Sequence, residues 1–508
     1  MTPSRRRYAR VILVTCLIAA AHVGGIAAAP PSLAQPSTVL ERLEIAAGRL
    51  LPSGPGTGLE LRGPQIVASS KAVATAPVRV CAPIWFTAMG VTWDQQRGAP
   101  FELQAATSRG RTTTFGRTYR LDAESGPDPG SAEYRRGSAA STMLWTGGSR
   151  CARVRLDLGR RTSISDLQIH FLNTSGSAEG PRTGPANIDP AAVPAPDRAL
   201  ATGAARTSSP RLITRQQWGA RPGLMNCEPD VADEVRAGFV HHTAGTNHYS
   251  RNQTDDIIRS IYAYHTRGQG WCDIAYNFLV DKYGRAYEGR SGGVTEPVVG
   301  AAQQGFNTRA FSVSLLGTFT RTRPSPKMQQ ALRRVLAWRL DVAHVNPKGR
   351  GLLVSAGGSN TRFRAGTEVN VPAIVPHRFT GYTDCPGAKV VNRLREIRRK
   401  VARMGLPKIY KPTVEPAVVK LGSNPLRIRA AGSQSLRWDV SVHEADGDEL
   451  FSFPSSTGPD LDLRWQGSDT TPYPREAGSY SIVVRGETSG GNTARPATLT
   501  FKVKPGAV

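Results

Sequence analysis

At 508 residues the chain is too long for one ordinary core and implies two to four domains. Its 39% hydrophobic and 20% charged residues fit a soluble globular protein and not a membrane protein, and Gly 52 with Pro 37 adds many turns and linkers. The formal net charge of +26 points either to an acidic partner or to a solvated arginine-rich surface; neither a recognition-helix signature nor zinc-finger spacing accompanies it, so no nucleic acid is expected and anionic polymers or phospholipid surfaces remain.

The first 34 residues read as an export signal. Residues 4–10 are Ser-Arg-Arg-Arg-Tyr-Ala-Arg, residues 11–21 form a short apolar run, and small residues lead to a cleavage point after Ser32-Leu33-Ala34. The run is too short and wrongly flanked for a spanning helix, so no transmembrane anchor is expected in the mature chain. Serine before paired arginines resembles a twin-arginine signal, with the Sec route an equal alternative. Cys16 lies in the apolar run without a small residue before it and is not read as lipid-modified. Export places the other five cysteines where disulfides persist. By position Cys81 pairs with Cys151 and Cys227 with Cys272, which leaves Cys385 over.

Residues 35–75, low in aromatics and punctuated by Pro52-Ser53-Gly54-Pro55-Gly56, read as a linker. Residues 76–175 read as a β-sandwich: Ala152, Val154, Leu156 and Leu158 alternate with polar residues, and Leu167, Ile169 and Phe171 do so around Gln168 and His170. Trp85, Trp93 and Trp145 are available as its core. Residues 176–210 form a second linker. Residues 211–406 mix both periods and read as a mixed α/β domain. Its helices begin at Thr254-Asp255-Asp256 and at Ser325-Pro326, and a third carries Val391, Leu394, Ile397 and Val401. Strand-like runs fall at 237–241, 276–280 and 311–316. Residues 411–508 return to alternation, through Trp438, Val440 and Val442, then Tyr480, Ile482 and Val484, then Leu499, Phe501 and Val503, and read as an immunoglobulin-like sandwich.

Three borderline-soft donors fall in the middle domain. His241 ends an apolar strand in Gly238-Phe-Val-His-His-Thr-Ala-Gly245, and His377 and Cys385 share the stretch Val375-Pro-His-Arg-Phe-Thr-Gly-Tyr-Thr-Asp-Cys-Pro-Gly387. Two imidazoles and a thiolate would leave a fourth tetrahedral position for water, the catalytic arrangement for zinc. Spacing alone leaves the bland alternatives open: a core histidine at 241, and a buried thiol or disulfide at 385.

The ordered motifs narrow that choice. Ile213-Thr-Arg-Gln-Gln-Trp-Gly-Ala-Arg-Pro222, Phe239-Val-His-His-Thr-Ala244, Trp271-Cys-Asp-Ile-Ala-Tyr-Asn-Phe-Leu-Val280, Gly284-Arg-Ala-Tyr-Glu-Gly-Arg290, Gly305-Phe-Asn307 and the 377–387 stretch resemble, in order, the peptidoglycan recognition protein and type 2 N-acetylmuramoyl-L-alanine amidase family, in its actinobacterial multi-domain form. The resemblance implies a zinc ion held by His241, His377 and Cys385. It makes His242 a neighbour that points elsewhere, Tyr276 the catalytic tyrosine, and Thr383 the polar residue that faces the bound water. It implies hydrolysis of the lactyl–alanine amide of peptidoglycan; the export signal places that enzyme as secreted or at the cell wall, and the basic charge points to anionic wall polymers as further partners. Two positions depart from the family pattern. Ala302 stands at or near a usual histidine, and Phe379 replaces an acidic residue that could orient a ligand histidine, so another partner must do so here. A non-hydrolytic peptidoglycan-binding protein is therefore the alternative, and a basic adhesin that uses the middle domain as scaffold is the third class. Tyr276 is expected on a strand face shared with residues 274 and 278. His265 is expected as a satisfied core residue, Glu288 and Arg290 lie either along the groove or on the surface, and the basic residues 393–403 form a solvated helix face.

Overall fold

The computed structural model describes residues 39–44, 59–62, 65–68, 73–75, 77–97, 102–108, 115–158, 163–175, 207–420, 425–466, 474 and 476–505. The expected signal peptide, with Cys16, and most of the 176–210 linker lie outside the described residues. Among the described residues no helix is long and apolar enough to cross a membrane.

The N-terminal region is a ten-stranded antiparallel sheet. Its two long members, Val78–Arg97 and Leu144–Leu158, pair with each other through two register irregularities. These let one strand serve two stretches of sheet around a core of Phe86, Val91, Trp93, Val154, Leu156 and Phe171. Cys81 and Cys151 stand opposite each other in that pairing and form a disulfide. Part of the 35–75 stretch, expected as a linker, is instead strand: Val39–Glu44 pairs along Ser163–Asn173 and packs the half-buried Leu43 against the core. The described strands of this stretch, six residues or fewer, are too short to show a period.

The alternation in residues 163–173 also misassigned one face. Alternation puts His170 on the polar face with Gln168, yet it is fully buried, because this side of the sheet packs on the central domain. Its ring meets Tyr264 edge-on at 5.8 Å, and Leu172 joins the cluster around Tyr264. For the same reason Trp145 belongs to the interdomain cluster, while Trp85 is only half-buried, beneath the Arg150 guanidinium. His170 has one partner, Thr92 Oγ1 at 2.7 Å from Nε2, and none among the described residues at Nδ1. Burial pushes its pKa down to about 4; the Arg42 guanidinium adds to the push and Asp166 opposes it. The unfolded chain therefore takes up a proton below pH 6.5 that the folded chain refuses until about pH 4. Stability from this group is complete above pH 6.5 and falls by up to about 3 kcal/mol as pH drops towards 4. Unfolding midpoints between pH 7 and 4 should show that decline, and His170→Gln should flatten it; equal slopes in the two chains would disprove the assignment.

The central region is a six-stranded mixed sheet in the order Leu212–Ile213, Ala286–Glu288, Phe278–Val280, Ala310–Leu315, Ala237–His242 and Ile374–Pro376. All pairs are parallel except that between Phe278–Val280 and Ala286–Glu288. Every residue of Ala237–His242 and Ala310–Leu315 is buried, as expected of strands covered on both faces. Helix Pro326–Val342 starts where Ser325 Oγ accepts the Met328 N–H, and with Leu394–Ala402 it covers one face through Leu332, Val335, Leu336, Ile397 and Val401. Helix Thr254–Ala263 covers the other and continues into a π-helical turn, Tyr264–Gly268.

Residues beyond 408 form a seven-stranded sheet around the 18-residue strand Leu426–His443. Trp438, Val440, Val442, Ile482, Val484 and Phe501 fill its core, so the alternation placed these side chains on the buried face.

Candidate metal centre

The site is assembled at the carboxyl ends of two neighbouring parallel strands, the usual ligand position in such sheets. The register pairs Phe239 with Val375 and Val240 with Pro376, so the next residue of each chain, His241 and His377, emerges side by side. Their ring centroids are 4.5 Å apart. After His377 the chain makes a short 3-10 turn, His377–Phe379, and loops back; Arg378 N–H donates to the Cys385 carbonyl at 2.8 Å and Cys385 N–H to Thr383 Oγ1 at 3.1 Å. Gly387 closes this loop with φ +90°, where a side chain would meet the Phe319 carbonyl. Among the described residues Cys385 is the free cysteine, Cys227 and Cys272 being joined by a disulfide.

One donor atom from each of His241, His377 and Cys385 lies within 4.8 Å of the others. The three residues are 1%, 5% and 6% exposed, so the cluster is closed to bulk water. Burial, with His377 beside it, pushes the His241 imidazole well below its usual pKa; burial, with His242 beside it, lowers His377 to about 3. Both rings are therefore neutral and offer lone pairs. Burial pushes the Cys385 thiol up, and the His242 N–H that donates to Sγ at 3.3 Å opposes this. Two neutral imidazoles and one sulfur, all buried, are a donor set that suits zinc.

His241 Nδ1 lies 3.7 Å from Cys385 Sγ, and its Nε2 donates to Gln303 Oε1 at 3.1 Å. Gln303 is fully buried; its backbone N–H donates to Asn307 Oδ1 at 3.0 Å, so the amide that orients His241 is itself anchored. Phe379, expected at the place of an orienting acid, is 37% exposed. Gln303 directly follows Ala302, the position at or near the histidine of the family pattern, and no role is expected for it from the sequence. His242 turns away as expected: its Nδ1 accepts the Phe319 N–H at 3.2 Å.

Tyr276 lies beside the donors, its ring 5.7 Å from that of His241. The expected strand face is incorrect, because the strand begins only at Phe278 and Tyr276 belongs to the irregular segment before it. Asn277 holds that segment, donating to the Val298 carbonyl at 2.9 Å and accepting from Ser312. Burial, with Glu124 and Cys385 adding to it, raises the Tyr276 pKa well above the ordinary phenol value, so the phenol stays protonated. Thr383 lines the same cavity, as do Ala302 and Trp271. His265 is the satisfied buried residue expected: on the π-turn it accepts the Ala275 N–H at Nδ1 (3.0 Å) and donates through Nε2 to Glu124 at 3.2 Å. Arg290 is buried, while Glu288 is half-buried and binds the Arg215 N–H.

Residues 232–388 match the family model described as N-acetylmuramoyl-L-alanine amidase. Peptidoglycan-recognition protein SC2 of Drosophila melanogaster is 29% identical over 185 residues, which are 36% of this chain and 84% of that protein. Peptidoglycan recognition protein 4 of Mus musculus is 30% identical over 137 residues, 27% of this chain, and the match spans only 35% of the mouse protein. Among solved structures, Drosophila PGRP-LB is 22% identical, covering 36% of this chain and 92% of that one at a TM-score of 0.29. Peptidoglycan recognition protein-LE, solved in complex with tracheal cytotoxin, is 24% identical with the same coverage and a TM-score of 0.29. The central domain is a peptidoglycan recognition and type 2 amidase domain, from a family that contains both amidases and binders, flanked on each side by β-rich regions.

Proposed function

We propose that the chain is an exported, zinc-dependent N-acetylmuramoyl-L-alanine amidase that cleaves the amide between the lactyl group of muramic acid and L-alanine in peptidoglycan. The observation that carries this reading is the convergence of His241, His377 and Cys385 within 4.8 Å, beside Tyr276. Zinc bound there would supply a Lewis acid for the amide carbonyl and a water with its pKa lowered to about 7. The rest falls to the protein. His241 and His377 act as neutral ligands, the first held in one tautomer by Gln303. Tyr276, kept protonated by burial, donates a hydrogen bond to the oxyanion that develops on the scissile carbonyl. Thr383 uses its hydroxyl to anchor the Cys385 backbone and, lining the same cavity, would face a water held by the metal.

The two disulfides suit an exported protein, and residues 1–34 are read as its signal. The flanking regions, 76–175 and 411–508, are read as β-sandwiches, the second immunoglobulin-like, and the basic surface as a site for anionic wall polymers. The reading is tested by incubating the purified chain with peptidoglycan and identifying released peptides by mass. L-Ala-terminated stems should appear, vanish with a zinc chelator and return with added zinc. Retention on peptidoglycan with no release under either condition, both by the purified chain and by a chain in which residues 127–132, next in sequence to the cavity-lining residues 122–126, are replaced by Gly-Ser-Gly, would leave a binding protein instead.

A further inference from the structure

The turn between strands Tyr119–Leu121 and Ser138–Ala140 of the N-terminal sheet crosses the domain boundary and runs over the metal centre. Three carboxylates hold it, each to a different wall. Glu124 accepts from Gln269 Nε2 at 2.6 Å and from His265. Asp128, 6% exposed, accepts from the Gly305 and Asn307 N–H groups at 2.6 and 3.1 Å and from the Asn307 amide at 2.6 Å. Glu133, 7% exposed, accepts from Arg290 at 2.6 and 2.8 Å and from the Cys272 N–H at 2.9 Å. Between these anchors Ser125 Oγ lies 2.7 Å from His377 Nε2 and accepts from Asn360 Nδ2 at 3.0 Å. Gly126 presses on Trp271, where any side chain would come within 3.1 Å of the indole.

The space left between this turn, the three donors and Tyr276 is about 20 Å³. That admits about one water. Pockets that hold even small ligands measure several hundred Å³, roughly 300–1,000. A substrate carrying a sugar, a lactyl group and a peptide cannot share the cleft with residues 122–134. The turn is tethered to its sheet at both ends, so it competes for the cleft at an effective concentration on the order of mM, and a weak soluble ligand would not displace it.

We propose that residues 122–134 are a built-in occupant of the amidase cleft, which keeps the folded chain latent until the turn lifts off. This rests on the reading of the centre as a hydrolytic site, and two independent readouts separate the two claims. The first is alkylation of Cys385 in zinc-depleted, non-reduced protein, followed at its own peptide by mass. The second is release of stem peptides from peptidoglycan by the zinc-loaded chain. The full chain is compared with Asp128→Asn/Glu133→Gln, which weakens two anchors, and with a second variant in which residues 127–132 are replaced by Gly-Ser-Gly. Unchanged circular dichroism qualifies each variant. The unaltered chain, measured against itself in denaturant, gives the degree of Cys385 protection even if both variants misfold.

Cys385 in the unaltered chain should react at least tenfold more slowly than in the variants, and stem release should rise at least tenfold in the variants. Faster alkylation without release would uphold the occupant and sink the hydrolytic reading. Equal alkylation in all chains, or as fast in the folded as in the denatured chain, would overturn the occupant. Lower release from the variants would overturn it too, since the turn would then complete the site rather than fill it.

Discussion

Replacing Cys385 with serine is expected to leave the purified chain without zinc and without amidase activity. Cys385 is the only sulfur in the donor set and the only member that could become an anion on binding zinc, both imidazoles being neutral. Serine preserves the volume, and its hydroxyl can still accept the His242 N–H that now meets Sγ. The fold should therefore survive while a hard, protonated oxygen replaces the soft ligand. Two neutral nitrogens alone do not hold zinc through dialysis, and the loss of stem release should exceed the ~10²–10³ that a missing hydrogen-bond donor costs. Zinc content by elemental mass spectrometry checks the first half independently of turnover. A Cys385→Ser chain that keeps one zinc per molecule would refute the ligand assignment. One that loses zinc but releases stems at the original rate would refute the metal's role in the chemistry.

The limits of the sequence at this site follow from which interactions are local. His377 and Cys385 share one loop, and His241 ends an apolar strand, so their chemistry was legible from composition and ordered motifs. That His241 and His377 lie side by side depends on the parallel register of two strands over 130 residues apart, which no period reveals. Gln303 could have been found: it follows Ala302, and a buried amide can hold an imidazole tautomer as a carboxylate does. Ser125, Asp128 and Glu133 could not. They belong to a polar, proline- and glycine-rich turn that reads as an ordinary surface connection, and their burial exists only because a second domain closes over them. His170 failed for the same reason, since alternation reports one covered face and cannot foresee that the other is covered too.

Tyr276→Phe is expected to lower kcat by about 10²–10³, equivalent to roughly 3–4 kcal/mol of transition-state stabilisation. The substitution removes one oxygen from a side chain that is 7% exposed and packed between the rings of His241 and His265, at 5.7 and 5.9 Å. Phenylalanine fits the same packing, so zinc content, the unfolding midpoint and KM should stay close to those of the unaltered chain. A hydrogen bond made mainly to the developing oxyanion lowers kcat and kcat/KM together, whereas loss of uniform substrate binding would raise KM at constant kcat. Where the closed cleft makes the unaltered rate too slow to measure, the comparison is made in the Asp128→Asn/Glu133→Gln background, so that the chemical step and not release of the turn is read. A fall in the unfolding midpoint that matched the loss of rate would reduce Tyr276 to a packing residue. Full activity in the phenylalanine variant would remove it from the reaction and leave the carbonyl to the metal alone.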